Sequence, residues 1–359
     1  MTARLSDEST TRLTTLLDII SPSMQEHDMV RYLAKDWTSV FPDGKIKTDA
    51  MGNIEFSVIR DAKYPTVALI AHTDTICIQI TQCTGNGKYR FRSIGASPHM
   101  LLGQPVTVVN EDGKRADGVI GFDATSQYGQ PKGLVFEDLW IDVSSQDGNC
   151  PISIGDLAVL KPRCSINGDI ISATALDDRL GLFIIGETIR RFSQAADLPV
   201  NLICAGSVQE EVGLRGSAGF EFSLTPDAII VLDVDYATDI PTPHEDQMGR
   251  LYLNNGPGLQ RKADNSPMLR RLIKNVSAKM NLPIQTSLGR FIYGGTDATS
   301  LQTARKPEGN HVCNLTIPCR YMHSPIETAS LQDVANAIEI IYGVLLEMGN
   351  NPDMNPRVL

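Results

Sequence analysis

Five short stretches place histidine or carboxylate side chains just after strand-like runs or at strand-to-helix turns. His72-Thr73-Asp74 follows the run at 67–71. Side chains two apart on an extended strand share a face, so Asp74 can stand beside His72 and fix its tautomer, as a metal-binding imidazole requires. Taken alone, this pair reads more readily as a structural histidine. Asp177-Asp178-Arg179 precedes an amphipathic stretch that opens near Leu180. Two carboxylates there can complement a helix dipole, or one can bridge two metal ions while Asp178 or Arg179 supports it. Glu210-Glu211 stands between a strand-like run at 200–205 and a segment carrying Gly213, Gly216 and Gly219. A surface loop tolerates such a pair; in a site, one glutamate can bind a metal while the other acts as general base. Asp233 is the first polar residue after 228–232, with Asp235 and Asp239 close behind, and is the ligand candidate among the three. His323 and Glu327 follow the run at 312–317.

Each stretch alone is ordinary, but the set is not. Two histidines with Asp and Glu form a nitrogen and oxygen donor set suited to zinc, cobalt or manganese rather than a thiolate site. The donors fall where open α/β sheets build their sites, at the carboxyl ends of strands. Two ions about 3.5–4 Å apart that share a carboxylate suit the hydrolysis of amides and phosphates, with a free glutamate taking the proton of the attacking water.

The elements that must hold these residues are legible in outline. Leu13, Leu16, Leu17 and Ile20 recur at helical spacing until Ser21-Pro22-Ser23, and a second helix is expected over 26–40. The run at 67–71 suits a buried central strand. From about 76 to 162 glycines are frequent and short β-rich runs alternate with turns, as in Pro105 to Val109 followed by Asn110-Glu111-Asp112-Gly113. This reads as a small all-β, barrel-like module inserted into an α/β domain. Beyond Ser172 the alternation resumes: a helix face from Leu180 to Phe192, strands at 200–205 and 228–232, a helix through Leu269, Leu272, Ile273 and Val276, and a strand at 312–317. Ser330 and Asp333 form a capping-box-like opening to a last helix, and the tail from 349 is expected to fray. The division is therefore 1–75 with 165–359 as one discontinuous domain, and 76–164 as the insert.

Composition excludes several functions. The 359 residues carry a net charge of −10, which disfavours nucleic acid, and 42% are hydrophobic, enough for a packed core. No apolar run approaches the roughly 20 residues that cross a bilayer. The amino-terminal 15 residues are polar, without a signal-peptide core. Seven cysteines without a CxxC pair fit reduced, buried thiols, and a cytoplasmic location is the expectation.

Read in order, these blocks resemble one family: the dinuclear-metal aminopeptidases of the tetrahedral and glutamyl aminopeptidase type, also labelled endoglucanase M-like. The matching blocks are Ala71-His72-Thr73-Asp74, Ala175 to Gly181, Gln209 to Gly216, Leu232-Asp233-Val234 with Asp239-Ile240-Pro241, Gly294 to Ala298, and Arg320 to Glu327. The resemblance implies a three-layer α/β/α metallopeptidase domain with a mixed sheet, in which the insert serves dimerisation. It implies two divalent ions per subunit, zinc or cobalt first and manganese also allowed, held by His72, Asp177, Glu211, Asp233 and His323, with Asp177 bridging. It makes Glu210 the catalytic acid/base and Asp74 the residue that orients His72. It further implies a cis bond at Asp177-Asp178, peptide substrates with a free amino terminus, and dimers that build to a dodecamer.

Two departures stand out. Thr75 occupies a place where the family often has glutamate, and the insert carries longer turns at 124–132. The rival readings are a dinuclear amidase or deacylase on the same scaffold, and an inactive scaffold homologue. A glycosidase fits less well, because it needs two carboxylates flanking a sugar bond and no metal pair.

Overall fold

The computed structural model describes residues 4–123, 133–143, 152–195, 197–242, 245–304, 309–351 and 355–356. Before the insert the chain forms β1 (Lys45–Thr48), β2 (Ile54–Val58) and β3 (Thr66–His72). The insert supplies β4 (Cys77–Gly85), β5 (Lys88–Ile94), β6 (Pro105–Val109), β7 (Arg115–Phe122), β8 (Leu139–Asp142) and β9 (Leu157–Leu160). The chain then returns through β10 (Cys164–Asn167), β11 (Ile170–Ala173), β12 (Asn201–Ser207), β13 (Ala228–Tyr236), β14 (Gly258–Gln260), β15 (Gln285–Ser287), β16 (Val312–Arg320) and β17 (Glu327–Ser330).

The large sheet runs β1-β2-β12-β3-β13-β16-β17-β11-β10, with β14 and β15 attached at β16. Its centre, β12-β3-β13-β16, is parallel, and antiparallel strands flank it. The sheet is mixed, as expected. Parallel strands covered on both faces need apolar residues at every position, and every residue of β3 and β12 is buried. Val67, Leu69 and Ala71 face one core, shared with the helices Asp7–Leu17, His27–Val40, Leu176–Ser193, Pro267–Lys279 and Leu331–Asn350. Ala68 and Ile70 face the other, packed with Phe220 and with Leu301 of the short helix Asp297–Thr303. This is the three-layer arrangement. Each fully buried Leu or Ile in it contributes about 1.5–3 kcal/mol.

The insert closes as a six-stranded barrel, β4-β5-β8-β7-β6-β9, around its own core of Ile78, Ile80, Phe91, Val106, Val108, Ile120 and Ile141. Closure leaves no open edge. The turn at Asn110 to Gly113 forms with the Gly113 N–H donating to Asn110 O at 2.9 Å and Gly113 at φ 76°. The turns at 124–132 and much of the tail after 351 lie outside the described residues.

Two local expectations need correction. The strand ending in Asp233 does not stop at Leu232: β13 continues to Tyr236 because its ladder to β16 pairs Asp233 with Thr316 and Asp235 with Pro318. Asp233 therefore points from within a strand, since ladder bonds involve the backbone and do not depend on the side chain. The capping box is one-sided. Ser330 accepts from the N–H groups of Gln332 and Asp333 at 3.1 and 3.3 Å. The Asp333 carboxylate instead accepts the Asn254 and Gly256 N–H groups at 2.8 and 2.7 Å, tying a loop to the helix start.

Candidate metal centre

Parallel strands deliver their carboxyl ends to one edge of the sheet. β3 brings His72 there, and His72 Nε2 lies 2.9 Å from Asp177 Oδ1. Its Nδ1 is 3.1 Å from the Asp74 backbone oxygen and 3.4 Å from Asp74 Oδ1, so Asp74 sets the ring through both groups. Asp177 and Asp178 have non-helical backbone at the kinked start of the Leu176–Ser193 helix, and the peptide bond between them is cis. The Asp177 N–H donates to Glu327 Oε2 at 3.0 Å, and the His323 N–H to Glu327 Oε1 at 2.8 Å. One carboxylate thus holds both backbones. His323 Nε2 comes 3.3 Å from Asp177 Oδ2 and 3.4 Å from Glu211 Oε2.

All five expected ligands meet. His72, Asp177 and Asp233 offer donor atoms within 4.8 Å of one another, and so do Asp177, Glu211 and His323. Asp177 belongs to both groups. Glu210 and Glu211 sit on the loop after β12, pinned from behind: Asp74 Oδ1 accepts the Glu210 N–H at 3.0 Å and Oδ2 the Glu211 N–H at 3.2 Å.

The electrostatics suit cations. Burial pushes Glu211 up to about 7, aided by the nearby Asp177. Burial also lifts Glu210 and Asp233 well above the usual carboxylate range, against the pull of His72 and with the push of acidic neighbours. Burial opposes charge on Asp177 too, but contacts with His323 and His72 hold it well below the ordinary value. His323 rises to about 10: burial works against its charge, but the contact with Asp177 and the field of Glu211 outweigh it. Glu211 Oε1 is buried with no hydrogen-bond partner. Crowded, dehydrated carboxylates with an unsatisfied oxygen fit bound cations, which invert this local penalty.

A cleft of ≈ 490 Å³ opens beside the donors, lined by Glu210, Asp233 and His323 on one side and by Gln260, Lys262, Arg290 and Phe291 on another. Asp235 and Asp239 do not join the donors. Asp235 accepts from Gln260 Nε2 at 3.0 Å and from Ser287. Asp239 forms a two-bond pair with Arg320, at 2.9 and 2.6 Å.

Asp178 and Arg179, the two supports the sequence offers as alternatives, both contribute. Arg179 is fully buried and donates to Thr73 O at 2.8 Å. Asp178 accepts the N–H groups of Gly181 and His72 at 2.9 and 3.3 Å. Ser23 and Glu26 reach the site from the amino-terminal loop, and no spacing in the sequence announces them.

Comparison with known proteins agrees with this geometry. The family model for M42 glutamyl aminopeptidase matches residues 52–340, and the chain belongs to that family. It is a hydrolase of the aminopeptidase class. A lysyl aminopeptidase from Pyrococcus furiosus is 29% identical over 336 residues, covering 90% of this chain and 92% of that protein. Among solved structures, the TET aminopeptidase of the marine sediment Thaumarchaeota archaeon SCGC AB-539-E09 superposes with a TM-score of 0.85 at 27% identity, covering 96% of this chain and 98% of that one. The Pyrococcus horikoshii TET1 peptidase, which can assemble into a tetrahedron or a large octahedral shell, gives 0.80 at 28% identity, with 94% and 99% covered.

Proposed function

We propose that this chain removes amino-terminal residues from peptides with a free amino group, using two divalent metal ions. The observation that carries the reading is Asp177, shared between two donor groups, with the carboxylate of Glu210 beside them in the same cleft. His72, Asp177 and Asp233 would hold one ion, and Asp177, Glu211 and His323 the other. Ions held there would supply Lewis acidity to the scissile carbonyl and to the attacking water. Zinc or cobalt suits the donor set best, with manganese also accepted.

The chain's own groups then divide the work. Glu210 takes a proton from the attacking water and returns it to the leaving amine. Asp74 holds the His72 ring and, through the Glu210 and Glu211 N–H groups, the acid/base loop. Glu327 fixes the backbones that carry Asp177 and His323.

The proposal extends to assembly and location. The barrel at 76–164 is read as a dimerisation module inserted into the catalytic domain of 1–75 and 165–359, with dimers building to a dodecamer. The closed shells of the P. horikoshii relative support this. Six described cysteines are unpaired thiols, which suits the cytoplasm. No described helix is long and apolar enough to cross a membrane.

The test is a pair of identical peptides, one with a free and one with an acetylated amino terminus, followed by mass spectrometry. Stepwise loss of residues from the free peptide alone is expected. Loss of the acetyl group from the blocked peptide would overturn the reading in favour of a deacylase or amidase, and equal removal of residues from both would overturn the need for a free amino group.

A further inference from the structure

Resting on that functional reading, we propose that Glu26 and Ser23 are positioning residues that hold the Glu210–Glu211 loop from behind. Gln209 sits at φ 55°, a left-handed conformation that a non-glycine residue rarely keeps without help. Its N–H donates to Glu26 Oε1 at 3.1 Å, and the same oxygen accepts the Met24 N–H at 2.8 Å. Met24 is itself at φ 81°. Glu26 is 6% exposed and Ser23 fully buried. Ser23 Oγ donates to Asp74 Oδ2 at 2.7 Å, and Asp74 is the group that accepts the next two N–H groups of the loop, from Glu210 and Glu211.

Three successive amides, 209 to 211, therefore end on two carboxylates, and both carboxylates are tied to one turn of the amino-terminal segment. That turn is anchored to the β3 exit. Ser21 Oγ donates to Thr73 O at 2.7 Å, and the Thr75 N–H donates to Ser21 O at 3.1 Å. A carboxylate aimed at a reacting atom must be held within a fraction of an ångström. The Glu26 oxygen fixes the residue that precedes it.

The chemistry needs an acceptor oxygen at position 26 and not its charge. Glu26→Gln keeps a carbonyl oxygen of the same reach, whereas Glu26→Ala removes it. The experiment compares the wild type with Glu26→Gln, Glu26→Ala and Ser23→Ala in the full-length protein. Amide hydrogen exchange is followed for peptides spanning 207–214, and kcat and KM are measured on an aminoacyl p-nitroanilide. Glu26→Ala should speed exchange in that peptide, and lower kcat about 10–100-fold with KM within about twofold. Glu26→Gln should restore both. Ser23→Ala should move them the same way by less.

Unchanged exchange in Glu26→Ala overturns the inference, as does a Glu26→Gln variant as impaired as Glu26→Ala. If Glu26→Ala fails to fold, the Gln and Ser23→Ala comparisons still decide. Exchange is read without turnover, so a wild type that does not cleave the substrate defeats the functional reading and leaves this one measurable.

Discussion

Asp177 Oδ1 lies 2.9 Å from Nε2 of His72, leaving its second oxygen, Oδ2, to face His323 at 3.3 Å. A carboxylate so placed between two imidazoles serves both donor groups at once. Asp177→Ala should therefore release both ions and abolish turnover. Asp233→Ala or Glu211→Ala should weaken mainly one ion each. Metal content by mass spectrometry after dialysis separates these patterns; an Asp177→Ala protein that keeps two ions would contradict the shared role.

The proposed mechanism leaves Glu210 for proton transfer. Glu210→Gln should keep metal content near that of the wild type while lowering kcat by about 10²–10⁴-fold, the range for loss of a general acid/base. A variant with most of its rate intact would remove Glu210 from that role.

Much of this arrangement is legible in the sequence because ligand and strand coincide. His72 ends an apolar run, and Glu211 and His323 follow others, so an edge of the sheet collects them. Asp178 and Glu327 stand among the candidates the sequence names, but their bonds do not show there, and Glu26 escapes altogether, for a physical reason. Glu327 acts by accepting two backbone N–H groups, Asp178 by accepting two more, and Glu26 by reaching across from a loop 183 residues away. Such bonds carry no periodicity. The edge strands β1, β10 and β15, and β14 between β15 and β16, are equally silent, being only three or four residues long; of the four only β14 is buried throughout.

Without metal, stability should fall as pH rises. Burial lifts Glu211 to about 7 and Glu327 to about 8 from an ordinary 4.5, and His323 stands at about 10 against 6.5. All three bind their proton more tightly folded than unfolded. Their contribution is complete below the unfolded values and is lost as pH rises through the folded ones. The Tm of chelator-treated protein should drop from pH 5 to pH 9. The rise in Tm on adding zinc should grow over the same range, since ligands must lose protons to bind. A Tm increment that shrinks with pH would count against this.

Gly181 admits no side chain. A Cβ there would meet Asp178 Oδ2 at 2.5 Å and Oδ1 at 2.6 Å. That carboxylate also receives the His72 N–H. Gly181→Ala should cost about 1–3 kcal/mol in urea unfolding and weaken metal binding about 10–100-fold through the displaced support. Unchanged metal affinity would show that Asp178 does not steady His72.

The most direct measurement titrates metal-stripped protein with zinc or cobalt while following both bound ions per chain and hydrolysis of aminoacyl p-nitroanilides, free and N-acetylated. Turnover should be absent in the stripped protein, appear as binding approaches two ions per chain, and occur on the free-amine substrates alone. Full turnover without metal, or saturation at a single ion with full activity, would contradict a two-metal aminopeptidase built around Asp177.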